Sequence, residues 1–235
     1  MRITTIASGS SGNCYVLTDN HNNSLIIEAG KGTFEDALKV IPEIGRIAGV
    51  IISHRHTDHY GPVDVEKWIK SGIKVYGPDQ MEHAEQFNLA CAGEVPFSVI
   101  PLAVEHDPNI VCFGFFIRAN YEAKNLCFFT DCYNYSRLID ALPETLSLAM
   151  IEVNHDAYTL DQNTKYPKEL RERIRKTHCS VQRATLAIQR AKCTRFVCIH
   201  PSENNLDQEA ALSYLRDEFP NRSFDFAKPG LTVEF

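Results

Sequence analysis

A cluster of three histidines and one aspartate is found in the stretch Ser53-His54-Arg55-His56-Thr57-Asp58-His59. It directly follows the apolar residues 48–52, which have the composition of a buried strand. Because side chains of an extended chain alternate between two sides, His54, His56 and Asp58 would point to the same side. A turn beginning near Asp58 would swing His59 toward the same point. Imidazole nitrogens and carboxylate oxygens suit zinc and its divalent neighbours, so the stretch predicts a metal site at a strand end.

Three further candidate ligands each follow a predicted strand. His106 comes after residues 96–105, Asp131 after residues 125–130, and His200 after residues 195–199. One histidine or aspartate after a strand is usually a loop residue or a cap. Three of them, placed like the first cluster, indicate a site with enough ligands for two metals.

Hydrophobic periodicity predicts strands and helices along the whole chain, with no linker and no short repeat. Strands are predicted over 1–7, 14–19, 24–28, 48–53, 73–76, 96–105, 111–119, 125–130, 147–153, 195–199, 223–226 and 231–235. Helices are predicted over 33–41, 62–70, 80–87, 135–141, 167–176, 181–192 and 207–218. Two strand-rich halves, each with helices, predict an α/β (α+β) domain over residues 1–235, with two sheets packed face to face between helix layers.

The composition is that of a globular protein, with 235 residues, 44% hydrophobic and 23% charged. No apolar run approaches the roughly 20 residues of a membrane span, and the first residues lack the apolar segment of a signal peptide. The eight cysteines include no Cys-x-x-Cys pair. We therefore expect a cytoplasmic protein with no membrane partner, whose thiols are reduced and mainly buried.

Basic residues are concentrated in one region of an acidic chain. Residues 165–195 contain ten Lys and Arg against two Glu, a net charge of +8, so the remainder carries −14 of the total of −6. Such a block either attracts a polyanion or forms a solvated helix face. Charge alone does not decide between these two interpretations.

The pattern His-x-His-x-Asp-His, followed by a His, an Asp and a His after successive strands, resembles the metallo-β-lactamase fold. The resemblance implies a four-layer αββα sandwich with a dinuclear site at the sheet edges. A histidine at His56 favours the hydrolytic branch over the oxygen-reducing diiron branch, and Glu28 replaces the usual aspartate that supports a ligand histidine. The implied ligands are His54, His56 and His106 for one metal, Asp58, His59 and His200 for the other, and Asp131 as the bridge.

Three segments are similar to the YycJ (WalJ) group, whose members are regarded as 5′→3′ DNA exonucleases. They are Ser8-Gly9-Ser10-Ser11-Gly12-Asn13-Cys14, Asn154-His155-Asp156 and His200-Pro201-Ser202-Glu203-Asn204-Asn205. Cys132-Tyr133 and Ile199 depart from that group's pattern. The resemblance implies a DNA exonuclease of DNA repair with two divalent ions, Zn²⁺ or Mn²⁺, with Fe²⁺ also accepted. The implied substrate contacts are Ser10, Ser11, Gly12, Asn13, Asn154, Ser202 and Asn204.

Two metals would lower the pKa of a bridging water and clamp both oxygens of a phosphodiester displacement. Asp58 would orient the resulting hydroxide. His155 is favoured over His178 as the acid or phosphate contact, although each could instead be a structural histidine. The loop before Asn13 could offer backbone N–H groups to a phosphate, or could be a plain hairpin turn.

Two other functions remain open. The same site could hydrolyse a small phosphodiester, lactone or thioester, because the fold alone does not select a substrate. A binding or regulatory protein that keeps its metals for stability is the second alternative. A β-lactamase is disfavoured, because the ligand set includes Asp58 and no cysteine.

Overall fold

Two sheets form the centre of the molecule. The computed structural model describes residues 1–78, 85–86, 95–142 and 145–235. The first sheet has the strand order β13 (Thr232–Glu234), β1 (Arg2–Ala7), β2 (Cys14–Thr18), β3 (Ser24–Ile27), β4 (Ile47–Ile51), β5 (Val75–Gly77) and β6 (Glu85–Gln86). The second has the order β12 (Ser223–Phe226), β11 (Arg195–Ile199), β10 (Leu148–Glu152), β9 (Lys124–Phe129), β8 (Cys112–Ala119) and β7 (Phe97–Val104).

Each sheet is antiparallel on one side and parallel on the other. Strands β3, β4, β5 and β6 pair in parallel, as do β9, β10, β11 and β12. The carboxyl ends of parallel strands lie at one edge of a sheet, where ligand sites of α/β proteins are commonly found. The loops after β9, β10 and β11 therefore lie together at one edge of the second sheet. The loop after β4 lies at the corresponding edge of the first sheet.

Helices cover the outer face of each sheet. They are α1 (Phe34–Val40), α2 (Pro62–Lys70), α3 (Ser136–Asp140), α4 (Ala157–Gln162), α5 (Lys168–Thr177), α6 (Val181–Arg190) and α7 (Gln208–Glu218). On the first sheet, Trp68 of α2 and Phe34 of α1 pack edge to face at 4.6 Å, beside Val50 of β4. On the second sheet, Ile188 of α6 and Leu215 of α7 belong to one buried cluster with the outer face of the strands.

The two inner faces pack against each other. Tyr15 of β2 contacts Phe128 of β9 with ring centroids 5.5 Å apart, and the surrounding cluster contains strands of both sheets. Residues of β9 alternate, so that Phe128 faces the other sheet and Phe129 faces the helices. Strands buried on both faces appear in sequence as continuous apolar runs. The expected αββα architecture is confirmed.

Several details differ from the sequence-based expectations. Glu85–Gln86 is a strand, so a helix over 80–87 is wrong at these two positions, and the rest of that segment lies outside the described residues. Helix α4 was not predicted, because it has only six residues and begins at a side-chain cap from Asp156. The seven described cysteines are buried and free, as expected. No described helix has the length and hydropathy needed to cross a membrane.

Candidate metal centre

The histidine cluster leaves the first sheet directly after β4. The chain turns there, since the amides of His59 and Tyr60 both donate to the carbonyl of His56, at 2.9 and 2.7 Å. His54 and His59 are buried, whereas His56 and Asp58 are partly exposed. The turn therefore presents four polar side chains toward the edge of the second sheet.

One group of candidate ligands contains three histidines. Nε2 of His54 lies 2.9 Å from Nδ1 of His56, which lies 3.2 Å from Nε2 of His106. His106 follows β7, so the second sheet supplies the third member. Three ring nitrogens that converge in this way could hold one metal ion.

A second group contains two histidines and two carboxylates. Nε2 of His59 lies 2.6 Å from Oδ2 of Asp131 and 3.3 Å from Oδ2 of Asp58. Nε2 of His200 lies 3.4 Å from Oδ1 of Asp131 and 3.8 Å from Oδ2 of Asp58.

Asp131 lies between the two groups. Its Oδ2 is also 3.4 Å from Nε2 of His54, which belongs to the three-histidine group. Asp131 thus has the position of a bridging ligand.

In three of the candidate ligand histidines, an oxygen atom lies close to the ring nitrogen Nδ1. Nδ1 of His54 lies 2.9 Å from Oγ of Ser53, and Nδ1 of His106 lies 3.1 Å from the carbonyl oxygen of Thr177. Nδ1 of His200 lies 3.2 Å from Oδ1 of Asn13. A hydrogen bond from each of these nitrogens would leave Nε2 free to bind a metal.

Glu28 supports the buried histidine His59. Its Oε1 lies 3.6 Å from Nδ1 of His59, which is ion-pair distance but too long for a hydrogen bond. The carboxylate of Glu28 also accepts from the amide of Ser53. The glutamate therefore reaches a candidate ligand histidine, as the sequence suggested.

Four of the five candidate ligand histidines are held in the neutral form; the exception is His59, where the carboxylates of Asp131, Glu28 and Asp58 outweigh burial and raise the pKa well above its usual value. Burial lowers the pKa of His54, His56 and His106, and it lowers the pKa of His200 to about 4. Neutral imidazole is the form that binds metals. Ring nitrogens of His54, His56 and His106 face one another across 2.9 to 3.2 Å, the arrangement that a bound cation would require.

Backbone strain is concentrated at the same place. Glu28, Asp131 and His200 have positive φ values of 65°, 46° and 54°. Non-glycine residues rarely adopt this region, and each such residue costs on the order of 1–3 kcal/mol. Surrounding contacts hold three polar residues in strained geometry where their strands end.

A buried carboxylate connects the site to α5. Oε1 of Glu152, the last residue of β10, accepts a 2.7 Å hydrogen bond from Nδ1 of His178. Oε2 of Glu152 accepts from the amides of Cys132 and Cys179, both at 3.1 Å. Nδ1 of His178 also lies 2.9 Å from Oδ1 of Asp131. His178 is therefore fixed beside the candidate bridging ligand.

Electrostatics favour the charged form of His178. Burial opposes protonation, but the carboxylates of Glu152 and Asp131 outweigh it and raise the pKa of His178 to about 10. Burial alone would raise the pKa of Asp131, yet His200, His59 and His178 hold it well below its usual range. The imidazolium therefore faces Asp131 and Glu152, and its charge opposes the burial that raises the pKa of Glu152 to about 7.

The site opens into a cleft of about 410 Å³. His178 and the candidate ligands His56, Asp58 and His200 line it, together with two exposed arginines, Arg55 and Arg173. The cleft therefore has acidic and imidazole groups at its floor and positive charge at its rim.

The predicted substrate contacts are dispersed. Ser10 lines the cleft, and Ser11 is exposed nearby in sequence. The remaining five do not line the cleft, and four of them have side chains that form hydrogen bonds within the protein. The five are Gly12, Asn13, Asn154, Ser202 and Asn204.

Two of those residues, Asn13 and Asn154, have side chains that bind other parts of the protein. Asn13 is fully buried. Its side-chain amide exchanges two hydrogen bonds with the backbone of Gly9, and its Oδ1 lies near Nδ1 of His200. Nδ2 of Asn154 donates to the carbonyl of His200 at 2.9 Å. Both side chains hold the loop that carries a candidate ligand, so the geometry does not support direct contact with substrate.

The preference for His155 over His178 is also not supported by the geometry. His155 is buried, contacts Oδ1 of Asn154 at 3.3 Å and pairs in a β-bridge with Ser180. Burial lowers its pKa to about 4. A neutral, enclosed histidine is a poor proton donor, whereas His178 lines the cleft.

Glu152, Arg55 and Arg173 line or support the site and were not predicted from the sequence. Glu152 ends the apolar strand Leu148–Glu152, and a charged residue there was the available signal. In the sequence, Arg55 lies between the candidate ligands His54 and His56, and Arg173 lies in the basic block of residues 165–195.

Two known proteins are similar to this chain in sequence. No family profile matches the chain. It is 28% identical over 192 residues to an exodeoxyribonuclease YycJ of Bacillus anthracis, covering 74% of this chain and 70% of that protein. It is 22% identical over 165 residues to a hydroxyacylglutathione hydrolase of Enterobacter sp. (strain 638), covering 66% and 61% of the two.

Solved structures show the same fold. The metallo-β-lactamase-fold protein YhfI from Bacillus subtilis superimposes with a TM-score of 0.76 at 17% identity, covering 99% of each chain. The short form of human tRNase Z gives a TM-score of 0.69 at 17% identity, over 100% of this chain and 99% of that one. This chain has the metallo-β-lactamase fold, and it contains a candidate metal-binding His/Asp cluster.

Proposed function

We propose that this chain is a metal-dependent phosphodiesterase that shortens DNA from its 5′ end. The observation that carries the proposal is the cleft, which joins the candidate ligands to His178 and to the two rim arginines. A polyanionic substrate needs positive charge beside the reacting phosphate, which a lactone or an uncharged ester does not. The relative named as an exodeoxyribonuclease supports DNA as the polymer and an exonuclease as the class.

Divalent ions would be held by the seven candidate ligands, with Asp131 between the two groups. When bound, they would supply Lewis acidity toward the phosphoryl oxygens and lower the pKa of a coordinated water. We retain the proposal of two ions, with Zn²⁺ or Mn²⁺ as the metals to test first and Fe²⁺ as a further one.

Arg55 and Arg173 are assigned to the phosphate oxygens of the substrate. Both are exposed at the cleft, and among the described residues Arg173 has no side-chain partner. Arg55 makes a single contact with the carbonyl of Asn109, at the 3.5 Å limit of a hydrogen bond. Guanidinium groups form strong hydrogen bonds with phosphate oxygens. Contacts of this kind do not depend on the base sequence of the nucleic acid.

His178 is assigned to the leaving 3′-oxygen. Glu152 engages Nδ1, which leaves Nε2 as the second ring nitrogen of a residue that lines the cleft. An imidazolium held in this way can donate a proton to the alkoxide that forms when the phosphodiester breaks. Asp58, whose Oδ2 faces both His59 and His200, is assigned to orienting the attacking water.

A substrate panel tests the proposal. Purified protein with Mn²⁺ or Zn²⁺ is given DNA, RNA of the same sequence, a small phosphodiester, a lactone and a glutathione thioester. We expect the highest kcat/KM with DNA. The thioester is included because the chain also resembles a hydroxyacylglutathione hydrolase. Thioester hydrolysis faster than DNA hydrolysis, by protein of the same preparation, would replace the nuclease assignment.

A further inference from the structure

A second cavity lies next to the loop that follows His200. It has a volume of about 440 Å³ and is formed by α4, the residues after it, and Asn204. None of its lining residues belongs to the metal cleft, and the proposed reaction does not use them. Its chemistry therefore needs a separate explanation.

The cavity combines an aromatic ring with unpaired polar groups. Tyr158 is 73% exposed, more than any other large hydrophobic side chain that the structure describes. Within the described part of the chain, the side-chain amide of Gln162 and the amino group of Lys165 have no partner. The wall thus offers a flat ring, an amide that donates and accepts, and a positive charge.

Those three groups match the parts of one nucleotide. An aromatic ring stacks on the face of any base, an amide pairs with a base edge, and an ammonium binds a phosphate. Bases in a duplex are already stacked and paired, so this surface suits a single strand.

The cavity is close enough to the cleft to contact the same strand. Asn204 follows His200 by four residues, so their Cα atoms are at most about 14 Å apart. Stacked nucleotides advance about 3.4 Å each, so about four nucleotides cover that distance. Arg173 lies at the cleft, and Lys165 lies just before the start of the same helix, α5, so positive charge extends between the two sites.

We propose that this cavity binds one base of single-stranded DNA, about two to four nucleotides from the phosphate that is cleaved. The inference rests on the proposed function, because it assumes that DNA occupies the cleft. It adds a preference for unpaired substrate, and a minimum substrate length, to that function.

An abasic scan tests the proposal. Single-stranded oligonucleotides, each lacking one base at a different position, are compared with the intact strand in kinetic assays of wild type and Tyr158→Ala. In the wild type, loss of the base that stacks on Tyr158 should raise KM by about 5- to 100-fold at one position. In Tyr158→Ala the intact strand should already have this higher KM. Removing the same base from the strand should then cause no further increase in KM.

Two matched variants separate stacking from folding effects. Tyr158→Phe keeps the ring and should behave as wild type. Tyr121→Ala removes a 51% exposed tyrosine from the turn between β8 and β9, at the opposite end of β9 from Asp131, and should also leave KM unchanged. The dissociation constant of a fluorescent single strand should rank the variants in the same order as KM does. It is measured with metal-free protein, so that no turnover occurs.

The outcomes distinguish this inference from the function on which it rests. Wild-type protein that cleaves DNA with no position-specific abasic effect, or equal effects in wild type and Tyr158→Ala, would overturn the base site alone. Wild-type protein that neither binds nor cleaves oligonucleotides would overturn the proposed function, and the base site with it.

Discussion

Replacing Glu152 with glutamine should disable His178 without disturbing the fold. Two backbone amides, those of Cys132 and Cys179, donate to Oε2 of Glu152 at 3.1 Å. They can only donate, so the amide oxygen of glutamine must take this position. Its NH₂ group then faces Nδ1 of His178, which can no longer donate to position 152 and keeps only Oδ1 of Asp131, 2.9 Å away, as an acceptor. His178 would lose its charge-assisted hydrogen bond to Glu152 and part of the support for its charged form.

The size of the effect follows from that 2.7 Å hydrogen bond. A hydrogen bond to a charged group contributes about 1.5–3 kcal/mol, and its loss lowers the pKa of His178. General acid catalysis contributes about 10²- to 10⁴-fold, so kcat on DNA should fall by this factor in Glu152→Gln. KM should change little, because Glu152 is buried and the arginines are untouched.

The assay compares two leaving groups on one variant. DNA has an alkoxide leaving group that needs a proton, whereas p-nitrophenyl thymidine phosphate releases a phenolate that does not. Glu152→Gln should therefore lose activity on DNA and keep most of it on the nitrophenyl ester. Equal losses on both substrates, with metal content and thermal stability unchanged, would refute the assignment of His178 as the proton donor.

Three further changes test other parts of the account. Arg55→Gln with Arg173→Gln should raise KM for DNA about 10- to 150-fold per arginine, because each removes a charge-assisted contact, and should flatten the salt dependence of KM. His155→Gln should reduce the loss of stability in acid. Burial lowers the pKa of His155 from 6.5 to about 4, so the unfolded chain binds more protons and stability falls as pH drops through that window. We expect the variant to remove about 2–3 kcal/mol of this loss in urea titrations across the pH series. Gly30→Ala should cost about 1–3 kcal/mol and weaken metal binding, since the added Cβ would lie 2.3 Å from the carbonyl oxygen of Asp58.

Controls make each of these results decisive. The double arginine variant must keep wild-type kcat on the nitrophenyl ester, and unchanged KM for DNA would show that the rim arginines do not bind phosphate. Parallel stability curves for wild type and His155→Gln between pH 6.5 and 4 would contradict the buried neutral histidine. Full metal affinity in Gly30→Ala, measured by calorimetry, would show that the loop before Asp58 can adjust.

Much of this site could be predicted from the sequence because strand ends are easy to locate. Apolar runs predicted β4, β7, β9 and β11, and the polar residue after each became a candidate ligand. Parallel pairing of β9, β10 and β11 brings Asp131 and His200 to one edge of the second sheet. The seven candidate ligands accordingly lie together in the structure.

Contacts between distant loops were not predictable in the same way. Glu152 meets His178 across 26 residues, and Asn13 meets His200 across 187. Neither pair has a sequence spacing that a periodic pattern could indicate. The sequence placed both His155 and His178 near the cleft, but burial decides which of them faces it, and burial depends on packing that the sequence pattern does not show.

The most direct test of the central claim is degradation of 5′-phosphorylated DNA, single- and double-stranded, labelled at either end, with Mn²⁺ or Zn²⁺. Asp131→Ala is the matched control, because Asp131 lies between both ligand groups and its removal should abolish metal binding at the bridge. We predict metal-dependent shortening from the 5′ end by wild type and none by Asp131→Ala. Intact DNA in a preparation shown to contain bound metal would contradict the account, and shortening that persists in Asp131→Ala would show that a contaminating nuclease produced it.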